Sequence, residues 1–505
     1  MVDEPKAVIE AKVVDSATGE RTPARVHFRT LDGRYIPPYG HRHEVNDAWF
    51  EDYGADLILG DTAYAYVDGK FEIELPVGDV LVEVVKGFEY TPTRSRVSIA
   101  PGQTHLALEI GRAVDLRAAG WVSADTHVHF VSPETAWLMG QAEGVNVVNL
   151  LAAQWGELFT NIADYTGDLS SVSRRDTLVW VGTENRQHLL GHLSLLGKRG
   201  SMAEPLSAAG PNESYLGDPL WTGMGGWADT CRAAGGLSVI PHFPNPDGEV
   251  AAECILGKID GVELRDFRHG IDSYAVRTWY RYLNSGVRIP AMGGTDKMSA
   301  GMPIGGVRTY AFIGERELTF EAWADAVRHG RTVTTSGPLL ELEVEGQPIG
   351  SEIRLPTGGG KVDVRATAFC LQGIGHVELV QDGMVVARKE APEGAVRVVI
   401  ETSIDVKQPG WIAARSEGPA VVWHCWPVRM AAHTSPVYVA VGDRDRPPIS
   451  SGDRAYFATL LEGGMTWLDE LGTPVDEQRR RRIRSAFEEA AERLADRDHR
   501  TGRRA

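Results

Sequence analysis

Residues 1–115 alternate apolar and polar positions with a period of two, in KAVIEAKVVD, ARVHFRT, GKFEIELPV, DVLVEVV and RVSIAPG, interrupted by Gly, Pro and Asp. Period two belongs to a strand with one buried face, so this stretch predicts a small β-sandwich module. From 116 to 335 the pattern changes to short solid apolar runs, VNVVNLLA, TLVWVG, GLSVIP, IDGVEL and RIPAMGG. These alternate with the helical stretches PETAWLMGQAEG, GGWADTCRAAGG, IDSYAVRTWYRYLNSG and TFEAWADAVRHG, the signature of β/α units around a parallel sheet. After Ser336-Gly337-Pro338 the strand period returns and predicts a second β-sandwich over 336–448. Residues 449–505 read as a helical tail in which Ile483, Phe487, Ala490 and Leu494 form one apolar face, so the Arg479–Arg482 run is read as its solvated side. No internal period indicates a repeat array.

Length agrees with this division: 505 residues at about 150 per domain suggest roughly three domains. An apolar share of 43% and a charged share of 24% are those of a folded globular chain. The net charge of −17 would repel phosphate backbones and anionic lipid, so neither nucleic acid nor membrane is expected as a partner. No apolar run reaches the ~18 residues of a membrane span, and the start lacks a secretory signal, which predicts a soluble, cytoplasmic protein. Cys231, Cys254, Cys370 and Cys425 form no CxxC pair, and structural disulfides are not expected.

Candidate chemistry gathers in the β/α block. His127 and His129 in SADTHVHF stand at i, i+2 on a predicted strand, so both imidazoles share a face and can close on one metal ion. Glu184, His242, Glu263 and Asp296 each follow an apolar run. In a closed parallel barrel such run ends share one rim, where barrel enzymes assemble their sites. His188 and His192 stand four apart in GTENRQHLLGHLSLLG and would share a face of a helix; either or both could be a ligand.

Taken in order, ADTHVH, GTE, GH, PH, GVEL and GGTD resemble the PHP superfamily of metal-dependent hydrolases, and more narrowly its CehA/McbA branch, from about Gly120 to about residue 338. The resemblance implies a distorted (β/α)7 barrel. It assigns His127, His129, Glu184 and Asp296 to one divalent metal ion and Glu184, His192 and His242 to a second, with Glu184 bridging, and on this ground His192 is favoured over His188. At the superfamily's third metal position this chain carries Thr135, Ala153-Gln154 and Met298, so two ions are implied.

Imidazole with carboxylate suits Zn, Mn or Fe(II). Two such ions generate a bridging hydroxide that attacks an electrophilic carbonyl or phosphorus. Around them, Asp125 either orients a ligand or caps its strand end. Glu263 is a ligand, an acceptor for a ligand histidine's N–H, or a partner of Arg265, and the acceptor role is preferred. Lys297 and Arg265 are candidates to stabilise an oxyanion, and Gln154 to hydrogen-bond substrate. His269 and Tyr274 follow Glu263 on a possible substrate-facing segment. Trp137, Trp155, Trp180, Trp221 and Trp227 line a pocket or, more simply, pack the interior.

The expected function is hydrolysis of an amide, ester or carbamate bond of a small molecule, and a homo-oligomer is compatible with the sequence. A PHP-type phosphoesterase is the alternative, although only Arg186, Arg265, Lys297 and Arg308 stand where they could meet phosphate oxygens. A non-catalytic metal-binding or assembly protein built on the flanking sandwiches is the third reading.

Overall fold

The structure is a computed structural model describing residues 5–48, 54–207, 219–245, 247–264, 273–419 and 421–496. In the N-terminal module, strand Lys6–Asp15 buries every second residue, as its alternation predicts. It lies in a four-stranded sheet facing a five-stranded one built around Ala24–Thr30 and Gly78–Val85. Ile9, Val13, Val26, Phe28, Ile73 and Val82 fill the space between them.

The centre of the molecule is a sixteen-stranded mixed sheet. Trp121–Val128, Val147–Trp155 and Leu178–Gln187 run parallel. Gly191–Leu196 is reversed, and Leu237–Ile240, Gly261–Glu263 and Ala291–Met292 resume the first direction. On the other flank, Arg308–Phe312 pairs antiparallel with Trp121–Val128. The curled sheet meets itself through side chains. Gly293 N–H donates to Thr309 Oγ1 (2.8 Å), Thr309 Oγ1 to Gly293 O (3.0 Å), and Thr332 Oγ1 to Ala291 O (2.8 Å).

This departs from a regular (β/α)7 barrel. The stretch holding His188 and His192, considered above on a helix, is two antiparallel strands joined by a turn at 188–190, with Gln187 Oε1 accepting from Leu189 N–H (2.8 Å) and from Leu190 N–H. The error has a physical source: every residue of Leu178–Gln187 and of Gly191–Leu196 is buried. A strand covered on both faces loses its period-two signature and cannot be told from a buried helix by pattern. The four helices read from the sequence appear as Pro133–Ala142, Met224–Ala233, Tyr274–Asn284 and Phe320–Arg328, and Val250–Leu256 is a fifth.

Beyond residue 336, a four-stranded sheet containing Leu339–Val344 and Gly360–Phe369 faces a second layer across Leu342, Val364, Leu379, Ile400 and Ile412. That second layer is no separate sheet. Ala431–Thr434 pairs with Thr332–Thr335, so the central sheet runs on into it. Helices Ser451–Glu470 and Glu477–Asp496 fold back on the β/α block. They place Phe457, Leu461, Ile483, Phe487, Ala490 and Leu494 in one core with Trp227, Val250 and Tyr282. The apolar face expected of the last helix is therefore its buried face. None of the described helices is long and apolar enough to cross a membrane, and all four cysteines are buried and free.

Candidate metal centre

Six strands of the central sheet share a direction, so their C-terminal ends lie at one rim. His127 is next to last in the first strand, His129 follows it, Glu184 lies late in the third, His242 follows Leu237–Ile240, Glu263 closes Gly261–Glu263, and Asp296 follows Ala291–Met292. His192 arrives from the reversed strand, directly opposite Arg186.

These side chains converge in two groups, His127–His129–Glu184 and Glu184–His192–His242, with Glu184 common to both. Within the first, the two histidine Nε2 atoms are 2.9 Å apart, and Glu184 Oε2 lies 3.4 Å from His129 Nε2. Asp296 Oδ1 adds a fourth donor, 3.4 Å from His127 Nε2 and 3.9 Å from His129 Nε2. In the second, His192 Nδ1 and His242 Nε2 are 3.2 Å apart and lie 3.2 and 3.5 Å from Glu184 Oε1. Ligands at ~2.1 Å around a tetrahedral ion are separated by about 3.4 Å, so these spacings fit a common cation in each group.

The outward-facing nitrogens carry a second signature of ligation. His127 Nδ1 lies 3.1 Å from Glu263 Oε2, His129 Nδ1 3.2 Å from Leu151 O, and His242 Nδ1 2.6 Å from Asn245 O. An acceptor at Nδ1 holds the proton there and leaves Nε2 as a lone-pair donor, the tautomer a metal requires. Among the side chains of the two groups, two buried polar atoms have no hydrogen-bond partner, Glu184 Oε1 and His192 Nε2, and the first is the point on which three imidazoles close. A buried lone pair of that kind is costly unless something electropositive meets it.

The electrostatics follow the geometry. Burial alone would raise the Glu184 carboxyl, but Arg186 and the surrounding imidazoles hold it well below the usual carboxylate range. Burial would depress His127, yet Asp296, Glu263 and Glu184 hold it well above its ordinary value, so positive charge is favoured at that spot. Burial lowers His192 to about 4, which keeps its ring neutral. Backbone strain marks the same place: Phe130, His242 and Asp296 have φ of 68°, 36° and 53°. Three non-glycine residues in the left-handed region around one cluster is a concentration characteristic of functional sites.

The remaining sequence candidates fall out as follows. Glu263 takes the acceptor role, receiving His127 Nδ1–H and His242 N–H on Oε2 (3.1 Å each) and the Thr126 hydroxyl on Oε1 (2.5 Å). Asp125 faces backbone amides, accepting from His127 and Thr295 on Oδ1 (3.0 and 2.9 Å) and Gly305 on Oδ2 (2.7 Å); it ties the loop carrying Asp296 to the strand carrying the histidines. Gln154 does not face the cluster. On its strand Ala153 pairs with Glu184, alternation turns Gln154 to the other face, and its amide donates to Gly156 O (3.0 Å). The Lys297 ammonium donates to Ser299 O (2.8 Å) inside the loop. His188 is exposed in the turn, outside both groups. Tyr274 begins its helix half-exposed, and Arg265 and His269 lie outside the described residues. Arg308 is bound to Gly305 O and Glu143 O, away from the cluster.

Two members were not singled out for the roles they hold. Arg186 Nη1 donates to Glu184 Oε2 (2.7 Å), and its guanidinium lies 3.7 Å from the centre of the Trp155 ring, which meets His129 edge-on at 5.3 Å. The period-two rule, applied from Glu184 to Arg186 and from Ala153 to Trp155, would have found both once the hairpin was recognised. Trp180 and Trp227 are core residues. A cleft of about 1810 Å³ lined by Arg232, Arg288, Arg328 and Arg446 opens before Gly261–Glu263 and Ala291–Met292, at the opposite end from the metal-ligating groups.

No family model matches the chain, and no curated protein matches it. The solved structures to which similarity is found include the following three. PsfC from Pseudomonas syringae PB-5123 is 11% identical over 41% of this chain and 87% of its own, with a TM-score of 0.27. The lesion-specific endonuclease PfuEndoQ from Pyrococcus furiosus is 16% identical over 41% of this chain and 56% of its own, with a TM-score of 0.28. A complex of endonuclease Q with a 27-mer duplex substrate bearing an abasic lesion at the active site is 15% identical over the same shares, with a TM-score of 0.29. This chain thus spans little more than half the length of the endonuclease. Resemblance at this level identifies neither a family nor an activity, and it lends nothing to the CehA/McbA branch. One expectation is corrected: a similar structure holds duplex DNA, so nucleic acid is not excluded as a partner. The exclusion rested on net charge, a sum over the whole surface, whereas binding responds to the field of the cleft itself.

Proposed function

We propose that this chain is a metal-dependent hydrolase of the PHP type, with two divalent cations held by His127, His129, Glu184 and Asp296 and by Glu184, His192 and His242. The observation that carries this reading is the convergence of four imidazole nitrogens on one carboxylate whose Oε1 has no hydrogen-bond partner, with three of the rings fixed from behind in the ligand tautomer. When bound, such ions supply Lewis acidity and make water nucleophilic near neutral pH. The chain contributes the rest. Glu263 and the Leu151 and Asn245 carbonyls orient the rings, Asp125 anchors the Asp296 loop, and buried Glu184 keeps its charge beside Arg186. His242 and Asp296, with side chains 25% and 16% exposed, form the accessible side from which substrate approaches.

The branch resemblance favours an amide, ester or carbamate as the scissile bond. The wider PHP resemblance supports a second reading, phosphoester hydrolysis, in which the paired cations would meet the phosphate oxygens. The test is metal content followed by a substrate screen. Metal-replete, chelator-free protein should carry close to two ions per chain. It should cleave aryl esters or carbamates in preference to phenyl phosphates and to an abasic-site duplex. Absence of bound metal overturns the proposal, and preference for either phosphoester replaces its substrate class.

A further inference from the structure

Arg186 meets Glu184 at the one carboxylate common to both groups. The two residues stand at i, i+2 on Leu178–Gln187 and so point to the same face, and the Arg186 N–H donates to Leu206 O (2.7 Å), which locks the strand edge. The Arg186 guanidinium holds Glu184 Oε2 at 2.7 Å. The other oxygen, Oε1, is thereby turned toward His127 Nε2, His192 Nδ1 and His242 Nε2, at 3.7, 3.2 and 3.5 Å. The terminal torsion of a glutamate is broad and two-fold, so an unpinned carboxylate would divide its time among orientations that serve one group or the other. Trp155 fixes the pin in turn: the guanidinium lies over the indole, 3.7 Å from its centre, and the Arg186 side chain is only 7% exposed. A planar guanidinium can stack and donate at once, whereas a lysine ammonium is a point charge on a flexible stem.

We infer that Arg186, held by Trp155, is a positioning residue that sets the orientation of the Glu184 carboxylate so that one side chain serves both cation sites. The inference rests on the metal-dependent reading above. It separates this arginine from a substrate-binding one, because its effect is felt in metal affinity before any substrate is present.

The test is Zn(II) affinity and stoichiometry, measured by competition with a chromogenic chelator on full-length wild type, Arg186→Lys, Arg186→Met and Trp155→Leu. Outer partners of metal ligands typically contribute about 10–100-fold in affinity. Arg186→Met is expected to weaken the second equivalent of Zn(II) at least tenfold. Arg186→Lys is expected to restore part of that loss and Trp155→Leu to reproduce part of it, with the metal-free thermal midpoints of the last two close to wild type. Wild-type affinity in both Arg186→Met and Trp155→Leu overturns the inference. If Arg186→Met does not fold, Arg186→Lys decides, and its equality with wild type overturns the inference equally. Failure of the wild type itself to bind Zn(II) instead overturns the metal-dependent reading.

Discussion

Arg25 and Glu143 form a buried ion pair, Nε to Oε1 at 2.9 Å with side chains 3% and 4% exposed, across the junction between the N-terminal module and the first helix of the β/α block. Tyr66 adds its hydroxyl to the same Glu143 oxygen (2.8 Å), and a further Arg25 nitrogen donates to His424 O in the C-terminal part. Three regions of the chain are thereby held at one charged point. Removing one partner of such a pair strands the other in a dry interior, which typically costs about 3–5 kcal/mol. Glu143→Ala should lower the free energy of urea unfolding by about that amount. A change below ~1 kcal/mol would show that Arg25 finds water or another acceptor.

Glu263 bonds the far nitrogen of His127 and the backbone N–H of His242, one from each metal-ligating group. Glu263→Gln keeps the shape and removes the charge that holds the His127 proton. Metal affinity should fall about 10–100-fold while the circular dichroism spectrum stays unchanged. Unaltered affinity in a chelator competition would contradict the acceptor role.

The hairpin at 178–196 separates two histidines that the sequence left unresolved. His192 faces Glu184 at 3.2 Å, and His188 is exposed in the turn with its ring 5.9 Å from that of His192. His192→Ala should cost close to one ion per chain by elemental analysis, and His188→Ala none. Equal loss from both would place His188 among the ligands.

His424 is buried against Trp423, with Gln372 at 3.4 Å from its Nε2, and burial together with the nearby Arg25 charge lowers its pKa to about 3. In the unfolded chain a histidine titrates near ~6.5. Between those values the unfolded state binds a proton that the native state refuses, so stability falls as pH drops from about 6.5 toward 3, and above 6.5 the residue contributes no pH dependence. His424→Gln should therefore show an unfolding free energy less steep in acid by about one proton than wild type. Identical slopes between pH 6 and 4 would refute this.

Much of the fold is legible in the pattern of the chain. The alternation of KAVIEAKVVD is the buried-exposed alternation of its strand, and Ile483, Phe487, Ala490 and Leu494 are the buried face of the last helix. Local repulsion from water has a period, and the period is written in the residues. The 184–196 hairpin is illegible because both of its strands are covered on both faces, which erases that period. The pairing of Ala431–Thr434 with Thr332–Thr335 is illegible for another reason: strand partners about a hundred residues apart are chosen by packing, with no local signal.

The same division runs through the candidate centre. The sequence by itself determined which residues are chemically able to bind a cation, because imidazoles and carboxylates set at the ends of apolar runs carry that capacity wherever the chain folds. Tertiary structure alone decided which of them meet: it brought His192 to Glu184 and left His188 outside, turned Gln154 away, set Glu263 behind His127, and laid Arg186 between Trp155 and the shared carboxylate. The reason is geometric, since ligand type is a property of a side chain, whereas convergence within a few ångströms depends on the direction and register of strands that the sequence encodes only through their packing.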